Sequence, residues 1–171
     1  MPERPVLRIT VSGVGPTASS DLLVVPVWAG QPVVMAPPGK QRLIRQLIRR
    51  MEFTGGWGSG EVGPLPARGV RAQFIGLVGL GSARSSTARQ AEGMRRGIGK
   101  IVQEARRHRL ARVTVLLTGL SAVVESVASA AVDGAVLAGY RWNENATRHK
   151  REGIRRGVRQ MQLLVNKSEI G

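Results

Sequence analysis

The sequence predicts an α/β domain in three layers, with a mixed, mostly parallel sheet between helices. Three observations carry that reading. Short runs rich in Val, Leu and Ile alternate with segments whose apolar residues recur at helical spacing, which is the pattern of a parallel sheet with crossover helices. Two of the runs, 73–80 and 113–117, are apolar apart from Gln73 and Thr114, as suits strands covered on both faces. The length of 171 residues suits one domain, 1–171, with one core.

Taken in order, 6–11 and 21–28 read as strands, separated by Gly13, Gly15 and Pro16. After a loop with Pro37, Pro38 and Gly39, Leu43, Ile44, Leu47, Ile48 and Met51 define one face of a helix. Arg42, Arg45 and Arg49 define another face of it. The glycine-heavy stretch 54–66 holds at most a short strand. Residues 87–90, Thr-Ala-Arg-Gln, form a capping-box pattern that opens a long helix to His108, placed in an outer layer. Its apolar stripe is Ala91, Met94, Ile98, Ile101, Val102 and Ala105, and Gly93 and Gly97 let it lie close to a sheet. Ser121 is placed to cap the Ala-rich segment 121–140, which reads as a helix buried on nearly every side. Glu125 and Asp133 within it argue against a membrane span. A basic stretch, 143–159, precedes a last strand at 162–165.

Composition narrows the chemistry. No cysteine is present, which excludes disulfides, thiolate metal sites and thiol nucleophiles. Residues 1–6 carry no apolar leader, so the expected compartment is the cytoplasm. The net charge is +15, and only four of the 26 bases are lysines (Lys40, Lys100, Lys150, Lys167). Codon bias explains arginine over lysine but not the excess of bases over acids, so affinity for polyanions is expected.

Each familiar motif fails on inspection. Gly79-Leu80-Gly81 follows a strand, but Arg84 stands where a dinucleotide fingerprint needs its third glycine, so a tight strand-exit turn is the better reading. Residues 93–100 resemble a phosphate loop with the wrong spacing, and Ile101 replaces the hydroxyl residue. No nucleophile elbow exists, and Ser59 reads as a flexible loop residue. His108 and His149 sit in basic surroundings and read as solvated surface. The two aspartates and nine glutamates are scattered among arginines, a poor source for a two-metal hydrolytic centre.

Two segments carry a family resemblance. Residues 132–143, Val-Asp-Gly-Ala-Val-Leu-Ala-Gly-Tyr-Arg-Trp-Asn, followed by Lys150, resemble the helix end of the leucyl aminopeptidase amino-terminal domain. Residues 20–28 and 77–81 match that family's earlier strands in order. The resemblance spans roughly 6–165 and implies a macro-domain-like fold that does no peptide chemistry. It places the two divalent metal ions and the peptidase centre in a following domain, whose motifs do not occur here. The chain itself is then expected to hold no catalytic residue, no metal ligand and no cofactor, and to act in assembly, substrate access or regulation. The expected partner is the catalytic domain, and further copies of the chain are an open possibility.

The same resemblance opens two alternatives. Some bacterial members bind DNA, and Arg141, Arg148, Lys150, Arg151, Arg155 and Arg156 are the candidate phosphate contacts for a sequence-independent nucleic-acid module. Macro domains read adenine with an aspartate near a strand start, so Asp21, Gly79 and Gly81 mark a candidate vestigial cleft for ADP-ribose or a nucleotide. The preferred reading of Asp21 is plainer: a loop residue accepting backbone amides at the strand entrance. Tyr140, Arg141 and Trp142 read as hydrophobic closure of the helix rather than a base-stacking platform.

Overall fold

The computed structural model describes residues 7–13, 20–30, 40–66, 71–120, 122–139 and 157–167. The element order is β1 (Arg8–Gly13), β2 (Leu22–Trp28), α1 (Gln41–Arg50), β3 (Gly60–Pro64), β4 (Phe74–Gly81), α2 (Thr87–Arg107), β5 (Arg112–Leu116), α3 (Val124–Gly139) and β6 (Gln160–Val165). The six strands form one sheet in the order β1-β6-β5-β2-β4-β3. Every pairing is parallel except β3 with β4. The mixed, mostly parallel α/β architecture is therefore the one the sequence predicts.

Strand periodicity builds two cores. In β2, Leu22 and Val24 face one way and Val25 and Val27 the other; in β4, Val78 and Leu80 oppose Ile75 and Leu77. The first set packs with α2 and α3, and the second with Ile44, Leu47 and Ile48 of α1. Both central strands are thus apolar throughout because each is covered on both faces. Pro26 sits in β2, a central strand, where a residue without an N–H is unusual. The pairing of β2 with β5 covers only Leu22–Val24, so the ladder that would need an amide beyond Pro26 is not formed.

Two helix expectations are corrected. The N-cap of α2 is Ser86, whose Oγ accepts from the Arg89 amide at 3.3 Å, so Thr87 is already the first helical residue. Gln90 is only 4% exposed, and its side chain holds Trp28 instead of closing a capping box. The helix α3 is not buried on nearly every side. Val127, Ala130, Ala131, Gly134 and Ala135 face inward, while Val136 and Leu137 are 51% and 58% exposed. Alanine is small enough for α3 to press against α2 along one face, with Val124, Ala128, Val132 and Ala138 half-buried at its edges and the opposite side exposed. The more deeply packed helix is α2, with eight buried residues to α3's five. Among the described residues no helix is long and apolar enough to cross a membrane. Ser121 and residues 140–156 lie outside the described residues.

Candidate functional site

The glycine-heavy segment after α1 forms a turn whose backbone only glycine adopts freely, with φ of +72° at Gly55 and +68° at Gly58. The turn is pinned to β4: the amides of Gly58 and Gly79 donate to the carbonyls of Gly79 and Ser59, both at 2.9 Å. Ser59 is correspondingly held, its hydroxyl donating to the Gly56 carbonyl at 2.5 Å, and is not the flexible residue expected. At the tip, Trp57 lies over Gly81 and Gly93. A Cβ at Gly93 would stand 2.9 Å from Trp57 Cδ1, so glycine is what admits the indole.

The first turns of α2 close on this indole. Trp57 Nε1 donates to the Arg89 carbonyl at 2.7 Å, and the guanidinium carbons of Arg89 and Arg96 lie 5.1 and 4.7 Å from the ring centroid. Glu92 accepts from Arg95 Nε and Nη2 at 2.6 Å each and from Arg96 Nε at 2.7 Å. Those bonds, Arg95's first and then Arg96's, outweigh partial desolvation and hold the Glu92 carboxyl down at about 2. Beside this cluster an open groove of about 420 Å³ is lined by Trp57, Gly58, Arg95, Arg96, Gly99, Lys100 and Gln103. Its three cations adjoin two carboxylates, Glu92 and an Asp133 whose charge also acts on Arg95, with Arg89 a further cation on the far side of Trp57. Arg89, Arg96, Lys100 and Arg107 are all exposed and continue as a basic line along α2, roughly 27 Å long at the helical rise.

The residues singled out in the sequence are not gathered here. Asp21 precedes β2, whereas Gly79 and Gly81 end β4, with Trp28 opposite Gly81 and Leu22 opposite Phe74. About 20 Å of extended strand separates the two, so the structure does not bring them into one cleft. Asp21 instead bonds the chain at the head of β5, Oδ2 accepting the amides of Ala111 at 3.0 Å and Arg112 at 2.9 Å. Gly81 has a φ of +77°, the strand-exit turn expected of it. His108 is exposed and lies 5.1 Å from the Phe74 ring. The tract Arg141, Arg148, Lys150, Arg151, Arg155 and Arg156 lies outside the described residues, as do Tyr140, Trp142 and His149. The groove residues Trp57, Arg96, Lys100 and Gln103, and the flanking Arg89 and Arg107, were missed. Their only signals were a tryptophan among glycines and bases at spacings of seven, four and seven along one helix.

Comparison with known proteins completes the picture. The description "Cytosol aminopeptidase family, N-terminal domain" matches residues 25–148, well over half of the chain. The chain belongs to that family. No curated protein matches it. Among solved structures, a tomato leucine aminopeptidase variant is similar over 100% of this chain and 34% of its own, at 20% identity and a TM-score of 0.60. The bottromycin maturation enzyme BotP is similar over 88% of this chain and 28% of its own, at 20% identity and a TM-score of 0.54. The macrodomain of Thermus aquaticus DarG is similar over 95% and 98%, at 13% identity and a TM-score of 0.51. At such identities the likeness is one of fold, and it makes the fold macro-domain-like. This chain spans about a third of the length of the aminopeptidase and less of BotP.

Proposed function

We propose that this chain is the non-catalytic amino-terminal domain of a metal-dependent leucyl aminopeptidase, serving assembly, substrate access or regulation of a separate catalytic domain. The observation that carries the reading is the family match over residues 25–148. The arrangement of three carboxylates supports the reading. Asp21, Glu92 and Glu104 are each committed to an arginine, and among the described residues no three His, Asp or Glu side chains converge. The purified chain is expected to leave leucyl amides and dipeptides intact with or without manganese or zinc. Turnover that follows the metal and persists through stringent purification would overturn the proposal.

A sequence-independent nucleic-acid-binding role is the second reading, favoured by the basic line on α2. It is weaker than the charge total implies. The basic tracts of α1 and α2 lie on opposite layers of the sheet, since their buried faces enter different cores.

A further inference from the structure

Three glycines at 93, 97 and 99 interrupt α2, and packing accounts for two of them. A Cβ at Gly93 would stand 2.9 Å from Trp57, and one at Gly97 would stand 2.8 Å from the Ser59 carbonyl oxygen and closer still to Val78. At Gly99 the nearest atoms would be the Gly134 oxygen at 3.9 Å and the Ala138 Cβ at 4.0 Å, which is ordinary contact. A glycine inside a helix costs stability relative to alanine, and here no neighbour requires it. What Gly99 does instead is leave a gap. Its neighbours on the helix surface are Arg95, Arg96 and Gln103 at four and three residues before and four after, and Lys100 follows it directly. All of them line the groove, with Gly99 in its wall.

We propose that this groove is a binding site for a small phosphate monoester, its phosphoryl group seated over Gly99 between Arg96, Lys100 and Gln103. Charge argues for a monoester: Arg89 on the Trp57 ring, Arg95, Arg96 and Lys100, set against Glu92 and the Asp133 that also acts on Arg95, leave two positive charges to match a dianion, whereas a phosphodiester carries one negative charge. Geometry argues for a built site. Glu92 fixes Arg95 and Arg96, the Trp57 ring lies against Arg96, and Arg96 commits only its Nε to Glu92, which leaves its terminal nitrogens for a ligand. Lys100 makes no ion pair among the described residues, and Gln103 is exposed beside it. Planar guanidinium donors beside an ammonium suit phosphate oxygens. The volume of about 420 Å³ leaves room for an organic part against Trp57 and Gly58, and falls within the roughly 300–1,000 Å³ of small-molecule sites.

The test is a calorimetric titration of the whole chain at fixed ionic strength and about pH 7.5, above the second phosphate pKa of about 6. The ligands are inorganic phosphate, methyl phosphate and dimethyl phosphate. Saturable binding of the first two, at least about tenfold tighter than the diester, is expected. Gly99→Gln, which fills the gap, and Lys100→Gln, which removes a cation, should each weaken binding about tenfold without lowering the melting temperature. Should Gly99→Gln fail to fold, Lys100→Gln decides alone. Equal affinity for the diester, heat explained by ionic strength alone, or affinity unchanged in a folded variant would overturn the proposal. None of these outcomes bears on the peptidase assay, so this site and the family role fail separately.

Discussion

Asp21 and Arg112 meet side chain to side chain at 2.7 Å and again through the Arg112 amide at 2.9 Å, so that one carboxylate ties the approach to β2 to the first residue of β5. Strands β2 and β5 are neighbours in the sheet but stand some ninety residues apart in sequence, and their ladder is only three residue pairs long. Asp21 lengthens that short seam. Ser20 supports it from the next position, its buried hydroxyl donating to the Leu22 carbonyl at 2.8 Å.

The first prediction follows from that seam. Partial burial raises the Asp21 carboxyl, but the bond from the Arg112 side chain, the amides of Arg112 and Ala111, and the Arg112 charge together hold it below its ordinary 3.8. A depressed carboxylate adds stability that is fully present above the unfolded value and is lost as pH falls through the folded one. Asp21→Asn should therefore cost about 1–3 kcal/mol at neutral pH. Below about pH 4 its melting curve should converge on that of the unsubstituted chain. A gap that stays constant down to the acid limit would mean the carboxylate charge plays no part.

A second prediction concerns the contact between α2 and α3, where glycine is required by space. A Cβ at Gly134 would stand 3.1 Å from the Arg95 carbonyl carbon and nearer to its oxygen. Backbone cannot turn aside as a side chain can, so Gly134→Ala should destabilise by about 1–3 kcal/mol despite its better helix propensity. Gly99→Ala should instead raise stability by up to about 1 kcal/mol. Chemical denaturation of the pair checks the contrast, and equal effects would contradict the α2–α3 packing described.

The third prediction tests the exposed side of α3. Ala131 is 0% exposed and Leu137 58% exposed on the same helix. Ala131→Asp buries an unpaired charge at a cost of several kcal/mol and should prevent folding. Leu137→Asp should express and melt cooperatively within about 0.5 kcal/mol of the unsubstituted chain. Failure of the second variant to fold would restore the fully buried helix that the sequence implied.

That contrast shows where sequence reading reached and where it stopped. The runs at 22–28 and 74–81, and 113–116 apart from Thr114, announced buried strands because a strand covered on both faces carries apolar residues at successive positions. The helix α3 misled because Ala, Val and Gly look buried in any orientation, and only the packed structure shows which alanines touch α2. Trp57 escaped notice for a related reason. Its partners Arg89 and Arg96 lie more than thirty residues on, and nothing in a glycine-rich loop states which helix it will meet. Asp21 was legible in its local role, a carboxylate before a strand, though not in its choice of Arg112.

The fourth prediction addresses Gln90, a buried polar residue with every group engaged. Its Oε1 accepts from Trp28 Nε1 at 3.1 Å, and its Nε2 donates to the carbonyls of Ala83 at 3.4 Å and Ser85 at 2.8 Å. The amide therefore fastens the end of β2 and the loop after β4 to the start of α2. Gln90→Leu keeps the volume but strands the indole N–H and two carbonyls, at a cost of about 1–3 kcal/mol. Thermal melts should register the loss, and a neutral result would show that solvent satisfies those groups unaided.

The last prediction separates the uses of the positive charge. If a polyanion binds along α2, Arg89, Arg96, Lys100 and Arg107 contact phosphates, whereas Arg42, Arg45 and Arg49 on α1 face away across the sheet. Each neutralised phosphate releases about 0.9 counterion from duplex DNA, so the slope of log affinity against log salt counts the contacts. Changing the four α2 residues to Gln should lower that slope by about three to four units. Changing the three α1 residues should leave it nearly unaltered, and a matched set of Gln changes at Arg148, Arg151, Arg155 and Arg156 measures the tract before β6. Equal losses from α1 and α2 would mean a diffuse electrostatic cloud with no bound face. A slope indifferent to the α2 changes would remove the basic line on that helix as a nucleic-acid contact and leave its groove to small anions.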